Sequence, residues 1–82
     1  MNMAANDDDC VKRIVKAYLH FKGEASTGML AKHLIDVNYG LMKSYTPHVL
    51  GQKMKQWSNS KNGKWFRPVP IIKKDETWWR LE

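Results

Sequence analysis

The sequence predicts one small α+β domain, with three helices followed by a C-terminal β-hairpin. Three observations support this prediction. Apolar residues recur at helical spacing in three successive segments, each bounded by residues that begin or end helices. Two segments near the C-terminus are instead rich in aromatic and β-branched residues and flank a polar turn. The chain has 82 residues, which is enough for a single hydrophobic core.

The first helix is predicted from Cys10 to Lys22, and Gly23 is expected to end it in the left-handed conformation. Residues 1–9 are expected to form a flexible acidic N-terminus. Asp7–Asp9 would lead into the helix, where carboxylates suit the positive end of the helix dipole. The apolar stripe of this helix consists of Val11, Ile14, Val15, Tyr18 and Phe21, with Leu19 beside it.

After a short connection, Ser26 or Thr27 can cap a second helix, whose stripe is Leu30, Leu34 and Val37. The third helix has the clearest beginning in the chain. Thr46 is a favourable N-cap, and Pro47 suits the first helical position because its missing N–H would be unpaired there anyway. Its stripe of Leu50, Met54 and Trp57 is predicted to be buried, and the turn-forming segment 58–63 is expected to end it.

The hairpin is predicted from strands at 65–72 and 77–81 with a polar turn at 73–76. Pro68 and Pro70 cannot donate to a ladder, so their side of the first strand is expected to be an open edge. Alternation should turn one of Trp78 and Trp79 inward. The predicted core is therefore Val11, Ile14, Val15, Tyr18, Leu30, Leu34, Leu50, Met54 and Trp57, with one or two aromatic residues of the hairpin.

This order of elements over residues 10–82 resembles the winged helix-turn-helix superfamily. The resemblance implies a winged-helix domain whose third helix contacts nucleic acid and whose hairpin is the wing. Segment 45–57, with Trp65-Phe66-Arg67 and Trp78-Trp79-Arg80-Leu81, also looks like the winged-helix modules of phage and plasmid primase-helicases. The sequence contains no primase or helicase domain, so this narrower resemblance implies no catalytic role.

The positive charge lies in the second half of the chain. The net charge is +6. Up to Gly40 there are five Lys and Arg residues and five acidic residues, whereas after Gly40 there are nine Lys and Arg residues and three acidic residues. No Asp or Glu occurs between Val37 and Lys74. This separation favours an anionic partner on one side of the domain. We expect that partner to be nucleic acid, in the form of double-stranded DNA. The alternative is that a basic surface serves only solubility.

The predicted interface has three parts. The polar side of the third helix consists of His48, Gln52, Lys55, Gln56 and Asn59. Gln52 and Gln56 are expected to pair with adenine edges, Lys55 to reach guanine or a phosphate, and Asn59 to do either. Backbone N–H groups at the start of that helix favour phosphate, with Ser44, Tyr45 and Thr46 beside them. Flanking phosphate contacts are expected from Lys61, Lys64, Arg67, Lys73, Lys74 and Arg80. The alternative is that this polar face is simply solvated.

Catalysis and membrane insertion are not expected. The three histidines lie in three different predicted helices, and with the single Cys10 they form no zinc-binding pattern. Phosphate-loop and nucleophile-elbow motifs are absent, so we expect a protein that is not an enzyme and needs no cofactor or metal. No apolar run is long enough to cross a membrane, and a cytoplasmic location is expected. The alternative function is a winged-helix protein–protein interaction module, such as a phage or mobile-element protein that acts on host machinery.

Overall fold

The computed structural model describes residues 3–37, 44–60 and 65–82, which form three helices and a three-stranded antiparallel sheet. The helices are α1 (Met3–Lys22), α2 (Thr27–Val37) and α3 (Pro47–Ser58). The strands are β1 (Glu24–Ser26), β2 (Pro68–Lys73) and β3 (Glu76–Leu81), in the sheet order β1-β3-β2. The predicted small α+β class is confirmed.

The N-terminal helix is longer than the sequence predicts. It begins at Met3 instead of Cys10, so residues 3–9 are helical. The reason is that two of the aspartates have partners. Asp9 forms an i,i+4 ion pair with Arg13 at 3.2 Å, and Asp8 contacts α3. The predicted helix end is confirmed, because the Gly23 N–H donates to the Leu19 carbonyl and Gly23 has φ 87°.

The short strand β1 was predicted only as a connection between helices. It pairs with β3, with Ala25 opposite Trp79. Three residues are too few to show a strand period, so this strand depends on the neighbour with which it pairs. Its last residue also caps α2, because the Ser26 hydroxyl accepts a hydrogen bond from the Met29 N–H at 3.2 Å.

The start of α3 is confirmed in detail. Thr46 is extended, with φ −64° and ψ 163°, and its hydroxyl accepts a hydrogen bond from the Val49 N–H at 3.3 Å. Pro47 occupies the first helical position. The helix ends at Ser58, where Asn59 acts as the C-cap through its backbone N–H to the Lys55 carbonyl.

The hairpin turn consists of only two residues, Lys74 and Asp75, with φ 49° and 67°. Positive φ at both central positions gives the tight turn whose twist matches that of the strands. The first strand begins at Pro68 instead of Trp65, although the Glu82 N–H still donates to the Arg67 carbonyl. Among the described strands, β2 pairs with β3 alone, which agrees with the predicted open edge on its proline-rich side.

The core lies between the helices and one face of the sheet. Its predicted members Val11, Val15, Leu30, Leu34, Leu50, Met54 and Trp57 are buried, and Ile14 and Tyr18 pack against them while partly exposed. Phe66 and Trp79 are the hairpin-region aromatics that join it. Phe21 and Val37 were assigned to apolar stripes but are exposed, Phe21 by 81%. Because residues two apart on a helix lie about 200° apart, burial of Leu19 turns Phe21 outward.

Candidate nucleic-acid interface

One face of α3 is free and polar, and the opposite face is held by the core. Leu50, Met54 and Trp57 are buried, and this fixes the rotation of the helix about its axis. The exposed positions include His48, Gln52, Lys55 and Gln56. None of the residues of α3 is an acid. The structure therefore brings together four of the five side chains predicted to lie on the polar side of this helix.

A groove of about 470 Å³ runs beside this face. His48, Gln52 and Lys55 line it from α3. The opposite side is formed by Thr27 and Gly28 at the start of α2 and by Glu76 and Thr77 at the start of β3. The α2 and β3 residues were not predicted as site residues. They are distant from α3 in the sequence, and no local motif marks them.

Two partly buried hydrogen bonds link the α2 and β3 sides of the groove. The indole N–H of Trp79 donates to the Thr27 hydroxyl at 2.8 Å. The same hydroxyl contacts the Thr77 carbonyl at 3.4 Å, so the start of α2 is linked to β3 at two points. Trp79 is 1% exposed and fills the space beneath the groove. This arrangement holds the α2 and β3 sides of the groove together.

Tyr45 is a predicted site residue that the structure places in the core. Its side chain is 5% exposed and belongs to the core. Its hydroxyl donates to one carboxylate oxygen of Asp8, and the Lys53 ammonium lies 3.0 Å from the other. The reason is tertiary, since a carboxylate on α1, 37 positions away, provides the partner. Tyr45 therefore joins α1 to the start of α3, with its ring buried in the core.

We expect Asp8→Ala to lower the free energy of unfolding by about 1–3 kcal/mol, because it removes the acceptor of a buried hydroxyl and of a lysine. The matched control is Asp9→Ala, which also removes one acid from α1. Its exposed i,i+4 pair with Arg13 should be worth only about 0.3–0.5 kcal/mol. Urea unfolding of both variants measures the difference. Equal losses would contradict the role assigned to Asp8.

The basic residues of the hairpin are not all turned toward α3. The Lys73 ammonium pairs with the Glu24 carboxylate and lies 4.7 Å from the centroid of the Trp78 ring. Arg80 is exposed and stands opposite Glu24 in the β1–β3 register. Because side chains alternate along a strand, Arg80 points to the sheet face opposite that of Trp79. Lys74 is exposed in the turn.

The remaining predicted residues lie in different places. Ser44 and Thr46 are exposed just before α3, and Asn59 is exposed at its C-terminal cap. The guanidinium of Arg67 lies 3.8 Å from the Glu82 carboxylate, beside Trp65. Lys61 and Lys64 lie outside the described residues. The structure thus supports a compact site on α3 and its N-terminal approach, with the other cations placed around the domain.

No protein-family model, curated protein sequence or solved structure matches this chain. The proposed function therefore depends on the positions and chemistry of the residues of this site. Within residues 3–37, 44–60 and 65–82, no helix has the length and apolar character that a membrane span requires.

Proposed function

We propose that this domain is a winged helix that binds duplex DNA through the exposed face of α3. The order α1-β1-α2-α3-β2-β3 supports the winged-helix assignment, with β2 and β3 as the wing. The sheet order supports it as well, because the central strand β3 joins the wing to the strand between α1 and α2. In this superfamily the third helix is usually the one that contacts nucleic acid.

The observation that carries the proposal is the exposed, acid-free face of α3 on a helix whose other face is buried. The DNA major groove is wide enough for one α-helix. Gln52 and Gln56 can each form two hydrogen bonds with an adenine edge, and Lys55 can reach guanine O6 and N7. A rigidly held helix can present these groups without first ordering its backbone.

Phosphate contacts would come from the ends of this face. Ser44 and Thr46 lie at the N-terminus of α3, where free backbone N–H groups favour an anion. Lys74, exposed at the wing turn, can contact the backbone of the duplex. Lys73 is expected to contribute less than Lys74, because its ammonium already contacts Glu24 and Trp78.

The test is a titration of two unrelated fluorescently labelled duplexes at several salt concentrations, followed by anisotropy. Lys74→Ala should weaken binding to both duplexes and reduce the slope of log K against log[salt] by about 0.9. Gln52→Ala should leave that slope unchanged and cost about 1–3 kcal/mol on the preferred duplex only. Lys32→Ala, an exposed lysine of α2, is the control for a general loss of charge.

Two results would overturn the proposal. One is the absence of binding to any duplex even at low salt, where electrostatic attraction is strongest. The other is a loss of affinity for Lys32→Ala as large as that for Lys74→Ala, together with no effect of Gln52→Ala. That pattern would mean that net charge alone attracts DNA and that α3 does not contact it.

A protein–protein interaction module is the second candidate, and one observation favours it. Ile72 is 70% exposed and stands opposite Thr77, which lines the groove beside α3. A large exposed apolar side chain beside a groove is typical of a surface that buries it against a partner. This candidate would replace the first if the duplex titration shows no binding at low salt.

A further inference from the structure

A second surface of the domain combines an exposed aromatic ring with several cations. We call it the Trp65 surface, and it consists of Arg13, Lys16, Ala17, His20 and Trp65. The first four lie on the exposed side of α1, and Trp65 precedes β2. Trp65 is 42% exposed, so part of its indole is accessible to a ligand. Among the described residues, this surface shares none with the groove beside α3.

The Trp65 ring lies near a buried aromatic ring and has a lysine ammonium over it. Its ring lies 6.0 Å from that of Phe66, which is buried in the core. The Lys16 ammonium lies 5.6 Å from the centroid of the Trp65 ring. Together Trp65 and Lys16 line two neighbouring depressions, one of about 470 Å³ over Ala17 and one of about 260 Å³ beside Arg67. The small side chain of Ala17 leaves the first depression open next to the indole.

The charge of this surface suits a polyanion. Arg13 and Lys16 line the first depression together with the Trp65 ring. The neighbouring Arg67 lines the second depression, as does the acid Glu82. The ion pairs of Arg13 with Asp9 and of Arg67 with Glu82 are formed by exposed side chains. Such pairs contribute little to stability, so these guanidinium groups can exchange a carboxylate for a phosphate at small cost.

We propose that the Trp65 surface binds single-stranded nucleic acid, with a base stacked on the Trp65 indole and the adjacent phosphates on Lys16 and Arg13. Aromatic rings placed among cations are how proteins hold single strands without sequence preference. An acidic peptide could use the cations, but it would leave the exposed indole without a stacking partner. This site is separate from the proposed duplex interface and does not depend on it.

The test is an anisotropy titration of a labelled oligothymidylate of about 15 nucleotides at low salt. Trp65→Ala should weaken binding about tenfold, because it removes the ring on which one base stacks. Trp65→Phe should restore part of the affinity, since phenylalanine keeps an aromatic face. Lys16→Glu should weaken binding at least as much as Trp65→Ala, and Lys32→Glu on α2 is the control with the same change of charge.

The two nucleic-acid proposals can fail separately. Trp65→Ala should leave duplex affinity unchanged, and Gln52→Ala should leave oligothymidylate affinity unchanged. Thermal unfolding followed by circular dichroism verifies that each variant is folded. If Trp65→Ala does not fold, the affinities of Lys16→Glu and Trp65→Phe for oligothymidylate test the proposal instead. Three results would overturn the Trp65 proposal: equal losses for Lys16→Glu and Lys32→Glu, affinity for Trp65→Ala equal to that of the unmodified protein, or equally effective competition by polyglutamate of the same charge.

Discussion

Replacing Trp79 with alanine is expected to lower the free energy of unfolding by about 3–5 kcal/mol, the range for removing a buried aromatic side chain. Trp79 is 1% exposed and pairs with Ala25 on one side and Pro70 on the other. Its indole N–H also provides the hydrogen bond to Thr27 that connects the sheet to α2. A loss of this size is a large part of the roughly 5–15 kcal/mol that stabilises a typical domain.

The neighbouring tryptophan provides the control. Trp78→Ala should cost distinctly less, because Trp78 is only partly buried and stands on the other face of the sheet. Trp79→Phe should lie between the two, since it keeps most of the apolar contact but loses the N–H to Thr27. Thermal or urea unfolding measures all three. A larger loss for Trp78→Ala than for Trp79→Ala would mean that the hairpin is shifted by one residue, which exchanges its two faces.

Leu50→Ala is expected to cost about 2–5 kcal/mol, because Leu50 is 0% exposed and a shortened side chain leaves a cavity that the core closes only in part. Leu50 is the first of the three buried residues of α3 and belongs to the hydrophobic core. Urea unfolding of the variant gives the loss directly. A cost below about 0.5 kcal/mol would contradict the packing of α3 described above.

Gln56→Ala is the matched control on the same helix. Gln56 is exposed, and alanine is the best helix former, so the variant should differ from the unmodified protein by less than about 0.5 kcal/mol. The contrast matters for function as well. If exposed α3 variants keep full stability, any loss of duplex binding that they show reports on the interface and not on unfolding.

Some elements could be predicted from the sequence because their signals are local. The N-cap at Thr46, the proline at Pro47 and the stripe of Leu50, Met54 and Trp57 all lie within twelve residues. Local capping and the 3.6-residue period are enough to determine both where such a helix begins and which side it buries. The exposed side followed from the same period, and this is why His48, Gln52, Lys55 and Gln56 are together on the surface.

Other elements could not be predicted because their partners are remote in the chain. Strand β1 has only three residues and exists as a strand because it pairs with β3, more than fifty residues later. Tyr45 was predicted as a ligand contact from its position before α3, but its ring is buried in the core and its hydroxyl donates a hydrogen bond to Asp8. Lys73 had the position of a phosphate contact, yet Glu24 on β1 pairs with its ammonium. In each of these cases the partner residue is remote in the sequence, and no local pattern connects the two partners.

The sequence by itself determined the α+β class, the three helices, the hairpin and the basic second half of the chain. Those features arise from periodicity, capping and composition, which act over one or two turns or along a strand. Only the tertiary structure decided how the groove beside α3 is bordered by Thr27 and Glu76, and how Trp65 stands among the cations of α1. Contacts between distant segments depend on how the whole core packs, and the spacing of side chains within one segment therefore does not predict them.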